Sequence, residues 1–160
     1  MTPEQIKIII HELAIKPHGA KAVVTWDIDE IATAIYAACK QYKIDPRLAL
    51  AQGILEGHFA TAPTATRSRK TRNIYNVGNV DDGTNKFFPT YTAGIRAYAH
   101  LLARSYCYRS ESSIVTPEMM IAHDFWRPDG VGRYATATSY TKDIAKIVKK
   151  IDKLINEGRR

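Results

Sequence analysis

The sequence predicts an α+β fold that is mainly helical and carries one small β-hairpin. Three observations predict it. Apolar residues recur at helical spacing toward both ends of the chain, and most of these runs follow a residue that caps helices. Residues 57–86 break that period and fill with Gly, Asn, Thr, Asp and Arg. Inside that break, a short alternating stretch leads into a turn cluster, which is the pattern of a hairpin.

Thr2, Pro3 and Gln5 read as an N-cap, a first-turn proline and a capping-box partner. Ile6, Ile9, Ile10 and Leu13 form the stripe of that helix, and Pro17, His18 and Gly19 end it. Asp27 or Asp29 opens a second helix with Ile28, Ile31, Ile35 and Ala38 on one face. Asp45 caps a third and Pro46 occupies its first turn. Positions 48–55 are almost wholly apolar, so this helix is expected to be buried on most sides. Residues 73–80 read as a strand, 81–85 as the turn and 86–88 as the returning strand. Thr90 or Thr92 opens a helix with Ile95, Tyr98, Ala99 and Leu102 inward, and Thr116 with Pro117 opens a short one. A loop over 124–134 precedes a long final helix over 139–157, striped by Ile144, Ile147, Val148, Ile151 and Leu154 with lysines opposite.

The 160 residues suit a single domain over 1–160. At this length about 70% of the unfolded surface is buried on folding, so no metal or disulfide staple is needed. No apolar run reaches the roughly 18 residues of a membrane span, so no membrane insertion is expected. Residues 1–17 lack the pattern of a secretory signal. The two cysteines, Cys39 and Cys107, are too few for a disulfide framework or a four-ligand zinc site, and both read as reduced thiols. His58, His100 and His123 have no metal-ligand spacing, and no phosphate-binding or dinucleotide motif is present, so no metal or organic cofactor is expected. The net charge is +7, and the last twenty residues hold 7 bases against 3 acids. That balance suits an anionic polymer: a nucleic acid, an anionic envelope glycan or a membrane surface. No nucleic-acid-binding motif accompanies it.

Glu56 is the most informative residue. It ends an apolar helix at the edge of the polar segment. Burial and the negative end of the helix dipole both disfavour its charged form. A carboxylic acid kept protonated near neutral pH is what general acid catalysis needs. Taken alone, the same position also suits an ordinary surface glutamate.

The order of motifs adds to this. The helix ending in Glu56, Gly57, His58 and Phe59 is followed by Asn73, Ile74, Tyr75, Asn76, Val77 and Gly78. Later come Gly132, Arg133, Tyr134 and Ala135, leading through Tyr140 into the last helix. This arrangement, over roughly residues 28–155, resembles the glucosaminidase domains of bacterial and phage peptidoglycan hydrolases, which share the lysozyme-like fold. In that family a catalytic glutamate ends an apolar helix, an "NLFG"-like segment follows, and a "YATDPxY" segment precedes the last helix. The chain departs from the pattern after Glu56, where Gly57, His58, Phe59 and Ala60 replace Ser-x-Trp-Gly, and at Ala137 and Thr138, which replace Asp-Pro.

The resemblance implies that Glu56 is the proton donor and that Tyr134 lies by the scissile sugar. It places Tyr75, Asn76 and Gly78 in the cleft lining and makes Phe59 an apolar floor for a sugar ring. His58, beside Glu56, is expected to line the cleft. The second carboxylate is open. Asp81 and Asp82, at the expected hairpin tip, are candidates to activate water, although Asp-Asp-Gly is also common turn chemistry. Substrate assistance, or a water held by Tyr134, needs no second acid. Arg67, Arg69, Lys70 and Arg72 form a basic run beside the cleft, and Arg72 is the chosen anion-binding candidate. The hairpin and residues 57–72 are expected to form one wall of a groove, and 124–134 the other. The implied activity is a monomeric peptidoglycan hydrolase that cuts the β-1,4 bond after N-acetylglucosamine in glycan strands, with no nucleic-acid partner. A muramidase, a lytic transglycosylase or a non-catalytic wall-binding virion domain are the alternatives. The missing signal fits a phage lysis or virion-associated protein, or a piece of a longer chain.

Overall fold

Seven α-helices carry the described residues of the computed structural model, which are 1–78, 86–106, 108, 114–135 and 137–158. Helix α1 (Pro3–Ile10) starts from a complete capping box: the Thr2 side chain accepts from the Gln5 amide, and the Gln5 side chain accepts from the Thr2 amide. It runs on through a wider π turn (His11–Ile15) and a 3-10 segment (Lys16–Lys21), which kinks at Gly19. Helix α2 (Ile28–Tyr42) is capped by Asp27 and buries Ile31, Ile35, Ala38 and Cys39. Burial pushes the Cys39 thiol up to about 12, so it stays protonated. Cys107 lies outside the described residues.

Helix α3 (Pro46–Leu55) is the centre of the molecule. Asp45 caps it, and every residue from Leu48 to Ile54 is buried. It packs against α1, α2 and α7 (Tyr140–Glu157). A helix apolar on all sides has to be surrounded in this way. Helix α5 (Tyr91–Ser105) covers α2, and α6 (Pro117–Ala122) lies on α7. Each starts where a threonine side chain accepts from the third amide onward, Thr90 for α5 and Thr116 for α6.

The polar stretch differs from the sequence expectation in two ways. A short helix, α4 (Thr66–Thr71), forms where no helical period was visible. The flanks of the expected hairpin, 73–78 and 86–88, are turns and irregular chain, and its tip lies outside the described residues. Among the described residues, β pairing is confined to two isolated bridges, Ile44 with Val115 and Trp126 with Arg133. The cause is Asn73. Its buried side chain accepts from the Val77 amide at 2.9 Å and donates to the Val77 carbonyl at 3.0 Å. The amide side chain thus satisfies backbone groups that a partner strand would otherwise serve. Ile74, Tyr75 and Val77 all turn inward instead of alternating.

Candidate active site

Glu56 is the C-cap of α3. Directly after it the chain reverses through Gly57, at φ 143°, and three left-handed residues, His58, Phe59 and Ala60, at φ 51°, 56° and 65°. Left-handed conformation costs a non-glycine residue about 1–2 kcal/mol, so the turn must be held from outside. The Phe59 amide donates back to the Gly53 carbonyl at 2.8 Å, and the Trp26 indole donates to the Phe59 carbonyl at 2.9 Å. Thr61 donates to the Ala14 carbonyl, while the Arg69 guanidinium donates to the carbonyls of Ala60, Ala62 and Pro63. The Phe59 ring is fully buried against α3, so close that a Cβ at Gly53 would stand 2.4 Å from its Cζ. Phe59 therefore anchors the turn in the core and does not floor a sugar site.

The Glu56 carboxyl faces a groove of about 680 Å³. One wall is Asn76, Val77 and Gly78 with Arg67; the other is Tyr134, Tyr140 and Asp143. The wall expected from 124–134 thus lies further along the chain, from Tyr134 into the first turn of α7. Asn76 Nδ2 donates to Glu56 Oε2 at 2.6 Å. Asn76 sits at φ 53°, a conformation that asparagine tolerates. Its own Oδ1 accepts from Arg67 at 3.0 Å. On the other oxygen, the Tyr140 hydroxyl donates to Oε1 at 3.4 Å. Tyr140 in turn accepts from Gln52 Nε2 at 2.9 Å, and Gln52 Oε1 accepts from Tyr98 at 2.6 Å. Gln52, Tyr98 and Tyr140 are all buried, so this chain of donors runs through the core from α5 to α3 to α7. Burial pushes the Glu56 carboxyl above its ordinary range; the hydrogen bonds from Asn76 and Tyr140, and the charge of Arg67, oppose that rise without cancelling it.

Tyr134 is half-buried on the groove wall, its ring 5.9 Å from that of Tyr140. Its hydroxyl donates to the Tyr75 carbonyl at 3.3 Å. Sequence reasoning singled out Tyr134, yet the tyrosine in hydrogen-bond contact with Glu56 is Tyr140. The signal for it was its place as the first residue of the last helix, one turn ahead of the Ile144 stripe. Gln52 was missed altogether; a lone glutamine inside an apolar helix was its only mark.

Other candidates are placed differently than expected. Tyr75 borders the groove but is 1% exposed and stacks on Tyr98, with ring centroids 3.7 Å apart, so it supports the wall from behind. His58 turns away from the groove toward His18, with ring centroids 4.7 Å apart, and feels the charge of Lys150. Arg72 is exposed at the end of α4 and does not line the groove; Arg67, one turn earlier, takes that place. Asp81 and Asp82 lie outside the described residues. Among the described residues, Asp143 is the one carboxylate besides Glu56 that lines the groove. Its side chain is 34% exposed and sits 3.3 Å from Lys146, and hydrogen bonds from Ser139 and Lys146 hold it below the usual carboxylate range. No group of three or more His, Cys, Asp or Glu among the described residues is arranged to hold a metal ion.

The arrangement sets one carboxyl, raised by burial, between two donors at the groove. A family model described as mannosyl-glycoprotein endo-beta-N-acetylglucosaminidase matches residues 32–153. No curated protein matches the chain, and neither does any solved structure.

Proposed function

The chain belongs to the glucosaminidase family, and from that membership we propose that it hydrolyses the glycan strands of peptidoglycan at the β-1,4 bond after N-acetylglucosamine. The observation that carries the proposal is the placement of Glu56: one half-buried carboxyl, raised toward protonation by burial, at the groove face of the central helix.

In this scheme a glycan strand lies along the groove and Glu56 protonates the leaving glycosidic oxygen as the oxocarbenium-like state develops. Asn76 and Tyr140 hold the carboxyl in one rotamer, so the proton is aimed before substrate arrives. Once the proton has left, the same two donors stabilise the carboxylate that remains. Tyr134 borders the sugar being cut. A water activated by Asp81, Asp82 or Asp143 attacks the anomeric carbon as the leaving oxygen departs with the Glu56 proton, or the carbonyl oxygen of the substrate's own N-acetyl group attacks it first and water then opens the cyclic intermediate. The enzyme acts at the bacterial cell wall, where this substrate is found.

Glu56→Gln removes the proton and keeps the shape, so it is expected to lower the clearing rate of a cell-wall suspension by ~10²-fold or more. Equal clearing by both proteins overturns the role of Glu56. Mass spectrometry of the digested muropeptides tests the bond: reducing N-acetylglucosamine ends support the proposal. Reducing muramic acid ends make the enzyme a muramidase, and anhydro-muramyl ends a transglycosylase.

A further inference from the structure

Helix α7 begins at the groove with Tyr140 and Asp143 and runs away from it for 18 residues. Its inward face is apolar, with Ile144, Val148 and Ile151 buried, and packs on α3 and α6. Its outward face carries Lys142, Lys146, Lys149 and Lys153, spaced four, three and four residues apart, with Lys150 beside them; all five are exposed. That spacing stacks the four on one line, which at a rise of 1.5 Å per residue extends about 16 Å along the axis. Lys146 pairs with Asp143 at the groove rim and Lys153 with Glu157. Among the described residues, Lys142, Lys149 and Lys150 have no carboxylate within ion-pair distance. The stripe is therefore a row of net positive charge that starts where the groove ends.

Resting on the wall-hydrolase reading above, we propose that this lysine stripe binds an anionic phosphodiester polymer of the bacterial envelope and so holds the enzyme on the wall beside its substrate. The charge fits a regularly spaced polyanion. Two other polyanionic surfaces fit less well. An interfacial helix must sink an apolar face into the bilayer, and the apolar face of α7 is committed to the core. Single-stranded nucleic acids add stacking of bases on exposed aromatic rings, and the one aromatic of α7, Tyr140, is 5% exposed and committed to Glu56. A polymer of alditol phosphates carries charge without bases and asks only for cations.

The test compares the wild-type chain with the fourfold variant Lys142→Gln, Lys149→Gln, Lys150→Gln and Lys153→Gln, and with the same four positions changed to Arg. Lys146 is left alone because it pairs with Asp143, which lines the groove. Binding to purified poly(glycerol phosphate) is titrated over a salt series, with single-stranded DNA and anionic phospholipid vesicles as parallel probes. The Gln variant is expected to bind the polymer at least tenfold more weakly and to lose about 3 from the slope of log affinity against log salt, at about 0.7 per lost contact. The Arg variant keeps both. Cleavage of soluble glycan oligomers is unchanged in both variants. Equal polymer binding by wild type and Gln variant overturns the proposal, as does tighter binding of DNA or vesicles through the same lysines. Glu56→Gln retains full polymer binding, so a failure of the catalytic assignment registers on cleavage alone and leaves this measurement independent.

Discussion

The two oxygens of Glu56 are held by regions of opposite character. Oε1 meets Tyr140 at 3.4 Å, a long contact, but one backed by Gln52 and Tyr98 through the core. Oε2 meets Asn76 at 2.6 Å, a short contact, but one carried on a loop whose outer support is the exposed side chain of Arg67. Buried polar chains are costly to leave half-made, so the core side fixes where the carboxyl stands. The shorter bond favours the charged form more strongly, so the loop side governs how readily the proton leaves. Position and acidity are thus set by different parts of the molecule and can be perturbed separately.

The largest effect is expected on the core side. Gln52→Leu leaves the Tyr98 hydroxyl buried without its acceptor, at about 1–3 kcal/mol for an unsatisfied group, and strips Tyr140 of its donor while its bond to Glu56 stays. Thermal unfolding should then begin several degrees lower, at roughly 2–4 °C per kcal/mol for a chain of this size. An unchanged midpoint would mean that the Tyr98 hydroxyl finds another partner.

Next comes the titration of Glu56 itself. Its carboxyl is raised in the folded state, so the native protein binds a proton that the unfolded chain releases. Wild-type stability therefore falls as pH climbs from the ordinary carboxylate value through the raised one. Glu56→Gln lacks that loss. Denaturant unfolding should find the variant more stable than wild type at neutral pH and no better at acid pH. A gap independent of pH would point away from desolvation as the cause.

Smaller effects appear on the loop side, in the pH profile of cleavage. A general acid works while protonated, so activity declines as pH rises through its pKa. Each lost donor or nearby cation raises that pKa and moves the alkaline limb to higher pH. The expected order is Asn76→Ala, then Tyr140→Phe, then Arg67→Gln, following the strength with which each favours the carboxylate. Tyr140→Phe should also lower the unfolding midpoint, because Gln52 loses its acceptor, whereas Arg67→Gln should not. If Arg67→Gln produced the widest shift, the loop would act through charge and not through the Asn76 hydrogen bond.

Features that depend on near neighbours were legible in the sequence. Thr2, Asp45 and Thr116 cap their helices where the spacing predicted, and of the two pairs left open, Asp27 and Thr90 are the caps. The buried helix ending in Glu56 was readable because continuous apolarity demands surroundings on every side. Features that depend on distant partners were not. Gln52 and Tyr140 meet across 88 positions, and no local pattern announces such a pair. The hairpin expectation failed over 73–78 because an asparagine side chain can stand in for a strand, which alternation cannot reveal. The choice between Arg67 and Arg72 turned on α4, whose six residues carry too few apolar positions to display a period.

The contact between Gly53 and Phe59 has a consequence for how this chain can vary. One small volume is shared by a missing side chain and a whole ring, so the two positions cannot change independently. Among functional variants, size added at 53 should be matched by size removed at 59, a compensating pair detectable in any selection that randomises both.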